Sequence, residues 1–271
     1  VRNGKIILLM LACVLAAAPG VAGEWDEKSW EEVPDWAATL GLFVFGGPAA
    51  APVQIRLNDQ VVAEVASGGQ GQIYEILQAL RSGPNEFVVE FLPGDAPPDD
   101  RARLSVSLAT SEARADGNRR LQEAIAESAL PAEPPEAACT ETFSFWAGPP
   151  PPQEGKLKKQ YFLTVQGPPV GYLVTIRINE QSIYTTVMGQ RFFEITAFLR
   201  PGKNVVTFDA IPSCFPEEIT ASGKLVIVLA PGRMTETGFQ WEGAGQLLGQ
   251  FDLESRKNPQ PISRRQSFRA R

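Results

Sequence analysis

RINEQSIYTTVMGQRFFEITAFLRPGKNVV, residues 177–206, reads as a run of short strands with the turns between them. Together with the preceding residues, Val174, Ile176 and Ile178 alternate with Thr175, Arg177 and Asn179. A period of two is that of a strand with one buried face. Asn179-Glu180-Gln181 supplies a turn, because asparagine tolerates the left-handed region and its side chain binds nearby backbone. It lacks the stronger Asn-Gly signal, so the expected loop is slightly longer than the tightest hairpin. Residues 182–187 return as a partner strand, 192–198 supply another, and Pro201-Gly202-Lys203-Asn204 turns the chain into 205–208. Short strands separated by Gly, Pro and Asn predict an antiparallel β-sandwich.

The same pattern occurs about 120 residues upstream. VQIRLNDQ (53–60) matches VTIRINEQ (174–181) at five of eight positions, and EILQALRSGPN (75–85) shares Glu, Ile, Leu, Arg, Gly and Asn with EITAFLRPGKN (194–204). Flanking segments also correspond: LFVFGG with LTVQGP before the block, and RLSVSLA with KLVIVLA after it. A shared order and offset over such a length indicates tandem duplication. The expected fold is therefore all-β: two tandem antiparallel, jelly-roll-like sandwiches, spanning 24–110 and 139–255. Residues 111–138 between them read as a linker with a short amphipathic helix, carrying Leu121, Ala124, Ile125 and Ala129 on one side, stopped by Pro131, Pro134 and Pro135. AGPPPPQEGKLKK, from Ala147 to Lys159, reads as an exposed polyproline loop.

Arg-Ile-Asn followed by Phe-x-Glu-Ile-Thr-x-x-Leu-Arg-Pro-Gly-Lys-Asn-Val-Val resembles the galactose-binding-like jelly roll, the sugar-binding module of many glycoside hydrolases. The resemblance covers about 60 residues of the second copy and, more weakly, the first, where Leu77 stands for Thr196. It implies a sandwich whose members include sugar binders and structural braces.

At 271 residues, 44% hydrophobic and 21% charged, the chain is long and apolar enough for two cores. Residues 1–23 join Arg2 and Lys5 to an apolar run over residues 6–18, a Pro-Gly break and small residues, the pattern of a secretory signal peptide. The expected location is secreted or periplasmic. Leu11-Ala12-Cys13 offers acylation at Cys13 as a lipoprotein alternative. Once such a signal is removed, Cys139 and Cys214 remain. In an oxidising compartment an even pair most simply forms a disulfide; free thiols and intermolecular pairing are the alternatives.

Formal net charge is −6, but residues 24–255 hold 17 basic against 31 acidic side chains, while 256–271 carry six basic residues and no acid. The acidic body repels a phosphate backbone, so nucleic acid is not an expected partner. The end segment NPQPISRRQSFRAR reads as a basic disordered tail.

The sequence contains no histidine, and no Gly-x-Ser-x-Gly elbow, phosphate loop or Cys-x-x-Cys pair. That removes the commonest general base and the usual nucleophilic triads. No enzyme, cofactor or metal site is expected. Two acids suffice for glycoside hydrolysis, making Glu217 with Glu218, or Asp99 with Asp100, the remote catalytic alternative. Asp95, Asp99 and Asp100 read as an acidic turn rather than a calcium loop. For ligand binding the candidates are Trp146, Tyr161, Tyr172, Tyr184 and Trp241, since sugars stack on exposed aromatic rings. Phe192, Phe193 and Phe198 read as core, and Trp25, Trp30 and Trp36 as a plug at one end of the first repeat. The expected function is non-catalytic scaffolding through protein partners of an envelope or exterior, with polysaccharide recognition as the alternative.

Overall fold

A computed structural model describes residues 37, 39–46, 49, 51–69, 72–94, 104–113, 119–130, 135–152, 155–167, 170–186, 191–215, 223–235, 238–242, 247–256 and 258–271. The export segment with Cys13, the tryptophans Trp25, Trp30 and Trp36, and Asp95, Asp99, Asp100, Glu217 and Glu218 lie outside the described residues.

The fold is all-β and antiparallel. The first copy supplies β1 (Leu40–Gly46), β2 (Val53–Leu57), β3 (Gln60–Val65), β4 (Ile73–Tyr74), β5 (Gly83–Phe91), β6 (Leu104–Ala113), β7 (Arg119–Leu130) and β8 (Cys139–Ala147). The second supplies β9 (Gln160–Gln166), β10 (Tyr172–Ile178), β11 (Gln181–Thr185), β12 (Arg191–Glu194), a turn of 3-10 helix (Thr196–Phe198), β13 (Gly202–Pro212), β14 (Lys224–Thr235), β15 (Gly238–Trp241), β16 (Gly249–Glu254) and β17 (Ile262–Ala270). The first copy pairs β4-β1-β6-β7, and the second β12-β9-β14-β15, with β16 also on β14. The remaining strands form one sheet of eight, ordered β17-β13-β10-β11-β8-β5-β2-β3. Its two halves are the inner sheets of the two sandwiches, joined where β8 meets β11.

Burial follows the alternation. Ile55, Leu57, Ile176, Ile178 and Leu199 are buried, while Arg56 and Arg177 lie on the opposite face, where they reach Glu90 at 3.7 Å and Asp209 respectively. Tyr184 rests on Phe193 with ring centroids 4.4 Å apart, and Phe208 stacks on Phe251 at 5.2 Å, so β12 and β16 cover the inner sheet of the second copy.

The duplication extends to irregular detail. Both first hairpins shift register at the same place, between Ile55 and Arg56 and between Ile176 and Arg177. Both then turn through two left-handed residues, Asn58 and Asp59 at φ 50° and 68°, and Asn179 and Glu180 at φ 49° and 72°. This is a two-residue turn with positive φ at both positions, so the longer loop expected from the sequence is corrected. Each asparagine stabilises its strained position by several hydrogen bonds. Asn58 Nδ2 donates to Asn85 Oδ1 at 2.7 Å and Asn58 Oδ1 accepts from the Glu86 N–H at 3.0 Å. Asn179 Nδ2 donates to Asn204 Oδ1 at 2.9 Å and Asn179 Oδ1 accepts from the Val205 N–H at 3.1 Å. Asn85 and Asn204 in turn close the Leu-Arg-x-Gly-x-Asn bends, accepting from the N–H of Arg81 at 2.9 Å and Arg200 at 3.0 Å.

Three further expectations change. Residues 119–130 form β7 rather than a linker helix, paired along β6 with register shifts beside Ala109 and Ser111. Helix preference is worth only a few tenths of a kcal/mol per residue. The β6 ladder and the inward alternation of Ala126 and Ser128, both buried, outweigh it. Strand β8, assigned from the sequence to the second repeat, pairs with β5 from Gly83–Ala147 to Phe91–Cys139 and completes the first sandwich. The basic end is ordered as β17, paired with β13 from Gly202–Ala270 to Ala210–Ile262. It is the counterpart of β8: Phe145 lies opposite Asn85 as Phe268 lies opposite Asn204. The boundary between sandwiches therefore falls in the Pro-rich stretch after β8.

Candidate functional site: the joint between the sandwiches

An edge strand exposes a row of N–H and C=O groups that another strand can satisfy. Here β8, the edge of the first inner sheet, is capped by β11, the edge of the second. Tyr184 stands opposite Phe145. Beside them the Ser144 N–H donates to Thr185 Oγ1 at 2.9 Å, and that hydroxyl also lies 2.9 Å from Thr175 Oγ1.

Aromatic contacts seal the joint at both ends. Trp146 of β8 meets Phe198 of the second copy edge to face, centroids 5.2 Å apart, while its indole N–H donates to the Pro149 carbonyl at 2.9 Å. Phe91 of β5 meets Phe215, beyond β13, at 5.0 Å in the same manner. Cys139 and Cys214 are disulfide-bonded with Cα atoms 5.8 Å apart, stitching the start of β8 to the segment after β13.

Glu141 is the polar centre of this region. It is buried; one carboxylate oxygen accepts from the Cys214 N–H at 2.9 Å, and the other accepts from the Ser128 hydroxyl. Burial holds its carboxyl above the usual glutamate range, opposed by those two hydrogen bonds. One side chain thus ties β7 and β8 of the first sandwich to the second.

Of the five aromatic candidates, Trp146 belongs to this joint and Tyr184 lies on its inner face. Tyr161 and Tyr172 are buried elsewhere in the second sandwich. Tyr161 Oη accepts from the Arg271 N–H at 2.8 Å, and Tyr172 Oη accepts from the Gln260 N–H at 3.3 Å. Their polar tips hold the final segment of the chain against the second sandwich. Trp241, on β15, is 39% exposed. The structure thus brings Trp146 and Tyr184 to one place and leaves no shared platform of five rings. Thr185, Phe215 and Glu141 were not singled out from the sequence, and Phe198, read there as core, meets Trp146 at the joint instead. The signal for Glu141 was its spacing in CTETFSF, two residues after a bridging cysteine and on its alternation face.

On the outer face of the eight-stranded sheet, Arg177, Glu180, Thr207, Ser263 and Arg265 line a shallow depression of about 430 Å³. Its charges are paired within the chain, Arg177 with Asp209 and Arg265 with Glu180 at 3.6 Å. Among the described residues, no group of three or more Cys, Asp or Glu is placed to hold a metal ion, and no helix is long and apolar enough to cross a membrane.

Compared with known proteins, the chain matches no family model and no curated sequence.

Proposed function

We propose that this protein is an exported, non-catalytic scaffold of a cell envelope or exterior, acting through the edges and faces of its sandwiches. The observation that carries this reading is the joint itself. Two copies of one module associate by adding the edge of one sheet to the edge of the other, sealed by Trp146, Phe198, Phe91 and Phe215. Strand addition is a general mode of protein recognition, in which main-chain bonds give affinity and alternate side chains give specificity. Among the described residues no strand covers the outer edge of β3, and Val61 on that strand is 51% exposed.

A photo-crosslinking residue at Val61, introduced in intact producing cells, is expected to yield discrete protein adducts. Carbohydrate recognition is the second reading, favoured by the exposed indole of Trp241. A glycan array that retains the chain saturably, with that retention lost in Trp241→Ala and no protein adduct formed at Val61, overturns scaffolding in favour of sugar binding.

A further inference from the structure

The joint between β8 and β11 is head to tail: the two copies meet through different strands. Within the chain each copy uses one of its two inner-sheet edges, so among the described residues the complementary edges are left at the ends of the eight-stranded sheet. β3 is the counterpart of β11, and β17 the counterpart of β8. A contact between unlike edges, repeated from chain to chain, leads to open rows or closed rings.

We propose that this chain assembles head to tail with further copies of itself, β17 of one molecule lying along β3 of the next. This deepens the scaffolding reading and rests on it. The occupant is a second copy because the interface continues one already built inside the molecule. Transferring the internal register, in which Tyr184 faces Phe145, places Ala63 opposite Phe268 and Glu64 opposite Ser267.

The charges at this register are complementary. Glu64 is exposed on the outer face of β3, a strand with no basic residue. Ser267 is exposed on the outer face of β17, a strand with no acid, and is flanked on that face by Arg269 and by Arg265, which also reaches the exposed Glu180 at 3.6 Å. Glu64 thereby stands opposite Ser267 with an arginine on each diagonal, within reach of long side chains. The seal of the internal joint is replaced at these ends: Arg269 occupies the position of Trp146, Ala63 that of Tyr184, and Ile262 that of Cys139. The contact between chains is consequently weaker than the joint, reversible and salt-sensitive.

Full-length chain carrying Glu64→Cys is mixed with chain carrying Ser267→Cys and oxidised mildly. The expected product is a mixed disulfide dimer, whereas a chain bearing both substitutions gives a ladder of multimers. Ser263→Cys, on the same face of β17 but displaced about 13 Å along the strand, lies beyond disulfide reach of Glu64→Cys and is expected to form little of the mixed dimer. In parallel, sedimentation of the unmodified chain is expected to show oligomers at low salt that dissociate at high salt, and Arg269→Glu is expected to shift them to monomer. A monomer at every salt and protein concentration overturns the proposal and assigns the charges to blocking an open edge. Equal dimer yields at 263 and 267, or efficient dimerisation of Glu64→Cys alone, overturn the head-to-tail geometry. Either failure leaves the scaffolding reading to the adducts at Val61, which report partners of any identity.

Discussion

Asn179 and Asn204 are joined by a side-chain hydrogen bond of 2.9 Å, and the pair clamps the second residue-for-residue turn of the duplicated motif onto the bend that follows it. Asn179 does two jobs, accepting a left-handed backbone and bonding the Val205 N–H through its side chain. Asn179→Gly should keep the backbone and lose the bonds, destabilising by about 1–3 kcal/mol. Asn179→Ala should add about 1–2 kcal/mol of left-handed strain. Urea denaturation of both variants separates the terms; equal losses for Gly and Ala would show that the turn is not held left-handed.

The disulfide should act on the joint more than on either core. Cys139 and Cys214 are separated by 75 residues, and closing a loop of that length contributes about 4 kcal/mol in the chain-entropy view. Cys139→Ser/Cys214→Ser should lower the denaturation midpoint while far-ultraviolet dichroism of the native state keeps its β signature. Loss of that signature at zero denaturant would mean that the bridge is required for folding rather than for stability.

Glu141 gives stability a pH dependence of known sign. Burial raises its carboxyl pKa in the folded chain, so the native state holds the proton more tightly than the unfolded chain does. The contribution is full below the unfolded glutamate value and is lost as pH rises through the raised native one. Glu141→Gln keeps an acceptor for the Cys214 N–H and provides a donor for Ser128, so it should flatten the fall in stability above the ordinary glutamate range. Glu141→Ala should cost about 1–3 kcal/mol by leaving the Cys214 N–H without its acceptor. Denaturation midpoints across pH check both; an unchanged slope in Glu141→Gln would rule out this carboxyl as its source.

Trp146 and Phe198 sit in different sandwiches yet touch edge to face. A double-mutant cycle with Trp146→Ala and Phe198→Ala should give a coupling of about 0.5–1.5 kcal/mol. A coupling indistinguishable from zero would mean that the rings pack without sealing the joint.

The regular parts of this fold were legible because they repeat and alternate: Ile55 over Ile176, Leu57 over Ile178, and the paired bends at Gly83 and Gly202, where φ is 103° and 93°. What escaped had physical causes. The tight turns lack glycine because the duplicated Asn–Asn hydrogen bonds stabilise left-handed Asn58 and Asn179 instead. β7 has helical composition, and only its β6 partner makes it a strand. β17 reads as a solvated basic segment because Arg265 and Arg269 point outward; the inward residues Phe268 and Ala270 form, with Ser267, the Ser-Phe-x-Ala pattern that Ser144, Phe145 and Ala147 carry in β8. Ring chemistry alone points to the aromatic candidates, but burial is a tertiary property, and alternation places Tyr172 and Tyr184 inward. The joint depends on which strand edges meet, which no local pattern encodes.

Two copies of one sandwich share a single sheet through β8 and β11. The most direct test of that sharing is the nuclear Overhauser spectrum of the isotopically labelled chain, read at the backbone of Phe145 and Tyr184. A shared sheet gives a cross-strand contact between these two residues, alongside contacts from Phe145 to Asn85 and from Tyr184 to Ile176. Both flanking contacts present with the Phe145–Tyr184 contact missing would contradict it, leaving two sandwiches tethered by a linker and a disulfide.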